Sequence, residues 1–317
     1  MPEGRTRVVV LDPLHPDAVT ELSREHDVVV RLRPGEDELA VLVADADALV
    51  VRSGVRITAR EVEQAKRLRV VARAGTGTDN IDLAACRSAG VQVFNIPGAS
   101  AGAVAELALG LILAVTRRIV RADRRIRGGT WDKTGSAGPE LAGRTLGVVG
   151  LGRIGSRLAD LGRAVGMHVV ASVAQPSPQR DAQLRGRGVT RLPLAELLST
   201  ADVVCLAVPL TEGTRGLLGP AELALMRPDA YLVNVSRGGV VDEGALHDAL
   251  LRGRLAGAAL DVHAVERGVP ALAALDNVVL TPHIGATTTD AQLRVGRILV
   301  TELRRALAGG SAAGRVV

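Results

Sequence analysis

The sequence has almost no aromatic residues. Its 317 residues include one Trp, one Tyr and one Phe, although hydrophobic residues make up 47% of the chain. The core must therefore be built from Ala, Val, Leu and Ile, which is typical of a buried parallel sheet covered by helices. A single-stranded nucleic acid would find few rings on which to stack its bases.

Lysine is also scarce, and the basic character of the chain comes from arginine. Lys occurs only at positions 66 and 133, yet the formal net charge is +5 and the sequence pI is about 10.1. The arginines are spread over the whole chain, without a basic stripe, a helix-turn-helix or an RNA-binding motif. We therefore predict a solvated surface that attracts anionic cofactors and carboxylates, and no nucleic-acid partner.

Cysteine is limited to Cys86 and Cys205, which have no C-x-x-C spacing. This pattern predicts neither a metal site nor a disulfide framework, and it favours a reducing cytoplasm. The first residues lead directly into an apolar run at 8–11 without the features of a signal peptide, and no apolar run reaches membrane-spanning length. We expect a cytoplasmic protein without a membrane partner.

A glycine motif of the form G-x-G-x-x-G follows the apolar run 146–149, with its glycines at Gly150, Gly152 and Gly155. A helical pattern follows the motif, and a second apolar run occupies 167–171. Gly150 would make the tight turn, Gly152 would let a pyrophosphate approach the backbone, and Gly155 would let helix and strand pack closely. The βαβ context predicts a Rossmann-type dinucleotide site.

The acidic residue that usually accompanies this motif is missing at the end of the second strand. An Asp or Glu is expected there to bind the adenosine ribose, but residues 172–180 contain no carboxylate and Asp181 is the first. Without that charge a ribose 2′-phosphate is not repelled, and Ser172, Ser177 or Arg180 would be available to bind it. The sequence therefore leaves both NAD and NADP open as the cofactor.

Two series of apolar strands alternate with helical patterns and predict an α/β protein with two doubly wound lobes. The strands of the first lobe are predicted at Val8–Leu11, Val28–Arg31, Ala48–Val51, Arg69–Ala72 and Val91–Phe94. Those of the second lobe, which begins near Thr145, are predicted after the motif at Val203–Val208, Tyr231–Val235, Gly257–Val262 and Asn277–Leu280.

Two long helices are predicted outside these strand series. The first, from Ala101 to about Ile119, is apolar on nearly all sides, so we expect it to cross between the lobes or to pack in a dimer. The second, from about Thr289 to Leu307, would return to the first lobe and make that lobe discontinuous. Residues 311–317 are expected to fray.

Three ionisable residues follow three strands of the second lobe, namely Arg237, Glu266 and His283. Ligands of open α/β sheets bind outside the carboxyl ends of the strands, so these side chains are expected to converge. Arg237 can hold a small 2-oxo or 2-hydroxy acid by its carboxylate. His283 can exchange a proton with the carbonyl oxygen, and Glu266 can fix the imidazole tautomer.

A second glycine-rich turn, 74–80, follows a strand of the first lobe. Its amides can form a nest for the substrate carboxylate, which would leave Arg237 to act nearer the carbonyl, although a purely structural turn explains the pattern equally well. Neighbouring strand ends carry further cations that suit a phosphate. The substrate-binding prediction comprises Arg52, Ser53, Arg73, Thr76 and Gly77.

Several longer motifs extend from about 48 to 286. They are Val51-Arg52-Ser53, Ala72-Arg73-Ala74-Gly75-Thr76-Gly77-Thr78-Asp79-Asn80-Ile81-Asp82, Glu140-Leu141-Ala142-Gly143-Arg144-Thr145-Leu146-Gly147, Asn234-Val235-Ser236-Arg237-Gly238-Gly239, Ala258-Ala259-Leu260-Asp261-Val262 and Pro282-His283-Ile284-Gly285-Ala286. With these motifs the chain resembles the D-isomer-specific 2-hydroxyacid dehydrogenases, and most closely the catalytic part of the D-3-phosphoglycerate dehydrogenases.

The resemblance implies a Rossmann-type cofactor domain at 98–285, inserted in a discontinuous flavodoxin-like substrate domain at 1–97 and 286–317. It implies Arg237, Glu266 and His283 as catalytic residues. The predicted cofactor-binding residues are Gly150, Gly152, Arg153, Ile154, Gly155, Val173, Pro209, Ser236, Asp261 and Gly285. A helical arm at about 98–140, which includes Trp131, would build a homodimer. The resemblance is to a short form without a C-terminal regulatory domain, so feedback by serine is not expected.

The sequence departs from the family pattern at three positions. Val173 replaces the usual Asp, His263 the usual Phe, and Arg267 the usual Pro, which leaves the cofactor and the substrate open. Some relatives are non-enzymatic NAD(H)-sensing scaffolds, and such scaffolds can keep the catalytic triad. A formate-type or phosphite-type dehydrogenase is a further alternative, but formate dehydrogenases of this fold pair the histidine with Gln instead of Glu266.

Overall fold

The computed structural model describes residues 5–266 and 268–317, except for the side chain of Arg180. The chain divides into two compact units, Met1–Ser100 with Thr287–Val317 (the first unit) and Ala101–Ala286 (the second unit). Among the described residues, no helix has both the length and the apolar character needed to cross a membrane.

The first unit contains a five-stranded parallel sheet with the strand order β2-β1-β3-β4-β5. Its elements up to residue 100 are β1 (Arg7–Val10), α1 (Pro16–Glu25), β2 (Asp27–Val30), α2 (Glu36–Ala44), β3 (Ala48–Val51), α3 (Ala59–Gln64), β4 (Val70–Arg73), α4 (Leu83–Ser88) and β5 (Gln92–Asn95). This is the flavodoxin-like order, in which the chain reverses direction across the sheet between β1 and β3. All five strands place their carboxyl ends at one edge.

The second unit contains a seven-stranded parallel sheet with the order β12-β11-β10-β9-β6-β7-β8. Its elements are α5 (Ala101–Thr116), α6 (Ile119–Arg127), β6 (Thr145–Val149), α7 (Arg153–Ala164), β7 (His168–Ser172), α8 (Pro178–Gly186), β8 (Val189–Arg191), α9 (Leu194–Thr200), β9 (Val203–Leu206), α10 (Pro220–Leu225), β10 (Tyr231–Asn234), α11 (Glu243–Leu251), β11 (Gly257–Leu260) and β12 (Val278–Leu280), with 3₁₀ turns at Thr134–Ser136, Glu212–Thr214 and Ala271–Ala274. The switch point of this Rossmann order lies between β6 and β9.

Both sheets are covered by helices on both faces, because their strands are apolar on both sides. In the second unit, α5 and α7 pack on one face, and α9, α10 and α11 pack on the other. In the first unit, α2, α3 and α4 cover one face, and α1 covers the other. The predicted fold class is confirmed, with two doubly wound α/β lobes, one Rossmann-type and one flavodoxin-like.

The chain returns to the first unit through α12 (Thr289–Leu307), which packs beside α1 on the same face of the sheet through Leu299 and Leu303. The expectation that residues 311–317 fray is wrong. Val316 N–H donates to the carbonyl of Val93 at 2.7 Å, and residue 315 pairs antiparallel with residue 94. The segment is held because it adds backbone hydrogen bonds at the edge strand β5.

Helix α5 is shorter and more exposed than the sequence indicates. It ends at Thr116 instead of near Ile119, because Arg118 adopts a left-handed conformation with φ of 55°. Its buried residues include Ala105, Ala108 and Ile112, whereas Leu113 is exposed on the single chain. A stripe of α5 therefore faces outward from the second unit.

Candidate active site

The glycine turn after β6 has the geometry that the motif predicts. Gly150 adopts φ of 93°, and its N–H donates to the carbonyl of Ser172 at the end of β7 at 2.9 Å. A Cβ at Gly150 would lie 2.7 Å from the carbonyl oxygen of Ala207, which follows β9. The turn therefore occupies the switch point between β6 and β9, where doubly wound sheets bind their ligands.

The two later glycines of the motif differ in their surroundings. A Cβ at Gly155 would overlap the carbonyl oxygen of Gly150, so only glycine lets α7 start this close to the strand. A Cβ at Gly152 would meet nothing within 4 Å, and no side chain caps the start of α7. Unblocked amides at a helix N-terminus and an open approach to the backbone fit a pyrophosphate.

The other residues predicted for the cofactor lie around this turn. Arg153 and Ile154 begin α7, with Arg153 exposed and Ile154 packed against the core. Val173 follows β7 and is partly buried against the same core. Pro209 follows β9, where its carbonyl accepts a hydrogen bond from the hydroxyl of Thr214 at 2.6 Å.

The first carboxylate that follows β7 in the sequence is paired with an arginine. Asp181, the first carboxylate after this strand, is held by two hydrogen bonds from Arg191 at 2.6 and 3.1 Å. The hydrogen bond from Arg191 lowers the pKa of Asp181, so this carboxylate remains an ion-pair partner at neutral pH. The side chain of Arg180, which was predicted to contact a 2′-phosphate, lies outside what the structure describes.

Arg237 lies on a tight turn that the buried Asn234 shapes. The side-chain Oδ1 of Asn234 accepts from the N–H and the hydroxyl of Ser236 at 3.0 and 2.6 Å, and its side-chain Nδ2 donates to the backbone carbonyl of Arg237 at 3.1 Å. A Cβ at Gly238 would overlap the backbone of His263, so the turns after β10 and β11 touch. No role was predicted for Asn234 from the sequence, although a polar residue at the end of an apolar strand often indicates a structural or functional role.

Glu266 and His283 are in contact. Oε1 of Glu266 lies 2.6 Å from Nδ1 of His283, and within the described part of the chain Nε2 of His283 has no hydrogen-bond partner. The hydrogen bond with His283 lowers the pKa of Glu266, and the positive charge of Arg237 contributes to the shift in the same direction. The structure thus brings Glu266 and His283 into contact, with the charge of Arg237 near enough to act on Glu266.

His283 is fixed by the backbone turn that carries it. Its φ is 56°, a left-handed conformation that needs support from neighbouring groups in a residue other than glycine. Asp261, which is buried, accepts the N–H of Ile284 on Oδ1 and the N–H of Gly285 on Oδ2, both at 2.8 Å. The hydroxyl of Thr281 also donates to Asp261, at 2.6 Å. Asp261 therefore holds the histidine turn through three hydrogen bonds.

His263 adds a second tie between the same segments. Its Nε2 lies 3.0 Å from the carbonyl oxygen of Thr281, which can only accept, so the proton of the neutral ring resides on Nε2. The usual Phe would leave this carbonyl without the bond. Arg267, the other departure in this segment, lies outside the described residues.

The residues predicted to bind substrate lie at or just after the ends of β3 and β4 in the first unit. Ser53 and Thr76 are exposed, while Arg73 is buried. Burial lowers the pKa of Arg52, and the carboxylate of Asp12 opposes this shift. The amide of Asn95 donates to the carbonyl of Thr76 at 2.5 Å, so the turn that contains Thr76 and Gly77 is pinned to the end of β5.

Cys86 and Cys205 are buried and unreactive. Burial raises the pKa of the Cys86 thiol to about 11 and that of Cys205 to about 12, so both are protonated at neutral pH. Within residues 5–266 and 268–317, no group of three or more His, Cys, Asp or Glu side chains is placed to hold a metal ion.

Comparison with known proteins shows the family to which the chain belongs. The family model described as D-isomer specific 2-hydroxyacid dehydrogenase, NAD binding domain, matches residues 109–285. The chain belongs to the D-isomer-specific 2-hydroxyacid dehydrogenase family. The matched segment lies in the second unit and contains the glycine turn, Arg237, Glu266 and His283.

The chain aligns with similar proteins over nearly its whole length. A hydroxypyruvate reductase of Thermotoga maritima is 41% identical over 309 residues, which are 96% of this chain and 99% of the relative. A D-3-phosphoglycerate dehydrogenase of Methanocaldococcus jannaschii is 42% identical over 305 residues, and the chain spans 58% of its length. The crystal structure of the TT0316 protein of Thermus thermophilus has a TM-score of 0.90 at 38% identity, covering 98% of this chain and 100% of that one.

Proposed function

We propose that the chain is an NAD(P)-dependent dehydrogenase that interconverts a small D-2-hydroxy acid and the corresponding 2-oxo acid. The observation that carries this proposal is the contact between Glu266 and His283, in the unit that also presents the open glycine turn at Gly152. An imidazole oriented by a carboxylate is suited to exchange a proton with a substrate oxygen. Bound nicotinamide cofactor would supply or accept the hydride.

In this proposal each of the three polar residues has a separate task. His283 donates its proton from Nε2 to the carbonyl oxygen in reduction and accepts it back in oxidation. Glu266 holds Nδ1, which fixes the ring orientation and stabilises the imidazolium. Arg237 binds the substrate carboxylate through its guanidinium fork.

For the first unit we propose a substrate-binding role. The pinned turn contains the exposed Thr76 and the half-buried Gly77 and suits a carboxylate. Arg52, Ser53 and Arg73 suit a second anionic group on the substrate. 3-Phosphoglycerate is therefore a candidate substrate, along with smaller hydroxy acids such as the one named in the reductase relative.

For the cofactor we propose weak discrimination between NADH and NADPH, or a preference for NADPH. The family description names NAD, but in this chain Val173 offers no carboxylate to the ribose hydroxyls and Asp181 is engaged by Arg191. Loss of the anion removes both an attraction for NADH and a repulsion of the 2′-phosphate of NADPH.

We also propose a homodimer built by the arm at 98–140. Exposed apolar side chains are concentrated there, since Trp131 is 87% exposed and Ile126 and Ile119 are 53% and 52% exposed. Such a patch favours a protein partner, and a second copy of the chain carries the same patch. A cytoplasmic location stays a prediction from the two cysteines.

The experiment that tests this proposal is turnover with a panel of 2-oxo acids. Purified protein is assayed for reduction of hydroxypyruvate, glyoxylate and pyruvate with NADH or NADPH, and for oxidation of D-3-phosphoglycerate, phosphite and formate with NAD or NADP. We expect reduction of at least one oxo acid with either cofactor. NADH binding without turnover would favour a sensing scaffold, and oxidation of phosphite or formate alone would favour the third alternative.

A further inference from the structure

A buried carboxylate in the first unit holds the loop that contains Arg52 and Ser53. Asp12 follows β1 and is 1% exposed. Its Oδ2 accepts the N–H of Arg52 at 2.6 Å and the N–H of Val55 at 3.3 Å. A Cβ at Gly54 would overlap Oδ1 of Asp12, so the loop closes tightly around this carboxylate.

The backbone carbonyl groups of the same loop accept hydrogen bonds from Asn80, which lies in the loop after β4. The side-chain amide of Asn80 donates to the carbonyl of Arg52 at 2.7 Å and to that of Val55 at 2.5 Å. The backbone carbonyl of Asn80 accepts the N–H of Ile57 at 2.8 Å. One carboxylate and one carboxamide thus hold both the donors and the acceptors of residues 52–55.

The position of Asp12 and the 52–55 loop in the sheet indicates a ligand-binding site. β1 and β3 are neighbours, and the strand order reverses between them, so Asp12 and Arg52 follow the two strands that flank the switch point. Ligands of such sheets bind outside the carboxyl ends of the strands at this point. The Nε of Arg33 lies 4.0 Å from Oδ1 of Asp12, which places a second guanidinium beside the loop.

A purely structural role would not require this location. Asp47 is also buried in the first unit and also accepts a backbone N–H, that of Arg7 at 2.8 Å. It precedes β3 and therefore lies at the amino edge of the same sheet, away from the strand ends that carry the loops. Asp12 accepts two backbone N–H groups at the carboxyl edge of the sheet, whereas Asp47 accepts one at the amino edge and is paired there with Arg67 at 3.2 Å.

We propose that Asp12 is a positioning residue for substrate, which holds the backbone of residues 52–55 so that Arg52 and Ser53 can bind an anionic 2-oxo acid. Asp12 acts through the loop and does not touch the substrate. Asn80 supports the same loop from its carbonyl side. This inference rests on the proposed function of the first unit as the substrate-binding part.

The test compares Asp12→Ala with its conservative variant Asp12→Asn and with the matched control Asp47→Ala. For each we would measure the KM of the 2-oxo acid that the wild type reduces fastest, kcat, the Kd of the reduced cofactor by fluorescence, and the thermal midpoint. Asp12→Ala should raise the oxo-acid KM about tenfold or more, because two buried amides lose their acceptor and the loop shifts. The cofactor Kd should change less than about twofold.

The controls separate positioning from stability. Asp12→Asn keeps an acceptor oxygen and should recover most of the KM, and Asp47→Ala should leave the KM unchanged even where it lowers the thermal midpoint. If Asp12→Ala does not fold, Asn80→Ala is decisive and should raise the KM in the same way. An unchanged KM in folded Asp12→Ala or Asn80→Ala, or an equal rise in Asp47→Ala, would overturn the inference while the proposed function stands. Absence of wild-type turnover would instead refute the proposed function.

Discussion

Oε1 of Glu266 lies 2.6 Å from Nδ1 of His283, although the two residues are 17 positions apart in the sequence. The contact forms because parallel strands β11 and β12 are neighbours and end at the same edge of the sheet. Since Glu266 occupies Nδ1, the proton that we assign to the reaction is on Nε2.

Glu266→Gln should shift the pH optimum of oxo-acid reduction downward. Gln keeps a hydrogen-bonding group near Nδ1 but removes the negative charge that stabilises the imidazolium. The proton donor is then lost at a lower pH. The measurement is kcat/KM against pH for both proteins, and coinciding profiles would exclude Glu266 from the proton transfer.

The same variant should change the pH dependence of stability. The hydrogen bond with His283 lowers the pKa of Glu266 below its ordinary value of 4.5, so the carboxylate stabilises the fold above pH 4.5 and loses this effect as the pH falls through the lowered pKa. The side chain is 45% exposed, so the effect should be at most about 1 kcal/mol. Denaturant titrations should show wild type and Glu266→Gln differing at neutral pH and converging in acid. A constant difference would contradict this sign.

Val173→Asp should move cofactor preference toward NADH. The new carboxylate would accept charge-assisted hydrogen bonds from the ribose hydroxyls, worth about 1.5–3 kcal/mol each, and would repel the 2′-phosphate of NADPH. The KM for NADH should fall and that for NADPH should rise, whereas Val173→Asn, which lacks the charge, should change the ratio little. A wild type that already strongly prefers NADH would mean that another group, such as the backbone or Ser172, binds the ribose.

The protein should sediment as a dimer, at twice the chain mass of 32.9 kDa. Ile126→Asp, in the exposed apolar part of the arm, should weaken the dimer. Leu251→Asp is the matched control, because this side chain is 65% exposed on α11, outside the arm. A wild type that is monomeric at micromolar concentration would exclude the arm as a stable interface.

Much of this fold could be predicted because the strands are short apolar runs that differ in composition from the helices and loops between them. β8 (Val189–Arg191) was not predicted, but the other observed strands agree with the predicted ones to within a residue or two, as for β3 at Ala48–Val51. The candidate catalytic residues could be found because each follows such a run. In a parallel sheet all strands end at the same edge, so residues that follow the strands lie at that edge.

Contacts between distant segments could not be predicted in this way. Helix α5 ends where Arg118 adopts a left-handed conformation, and the C-terminal segment is held by pairing between residues 315 and 94. Neither feature has a signal in the local sequence. Asp12 and Asn234 are polar residues at the ends of apolar runs, so their positions were visible in the sequence. Their partners, which decide what they do, were visible only in the structure.

The central claim is that His283 transfers the proton in a hydride-transfer reaction, and His283→Ala tests it most directly. Turnover of the 2-oxo acid should fall by about 10²- to 10⁴-fold, while the Kd of the reduced cofactor stays nearly unchanged, because only a proton-transfer group is lost. Both quantities would be measured on the same preparation. Wild-type turnover in the variant, or a matching loss of cofactor binding, would contradict the account.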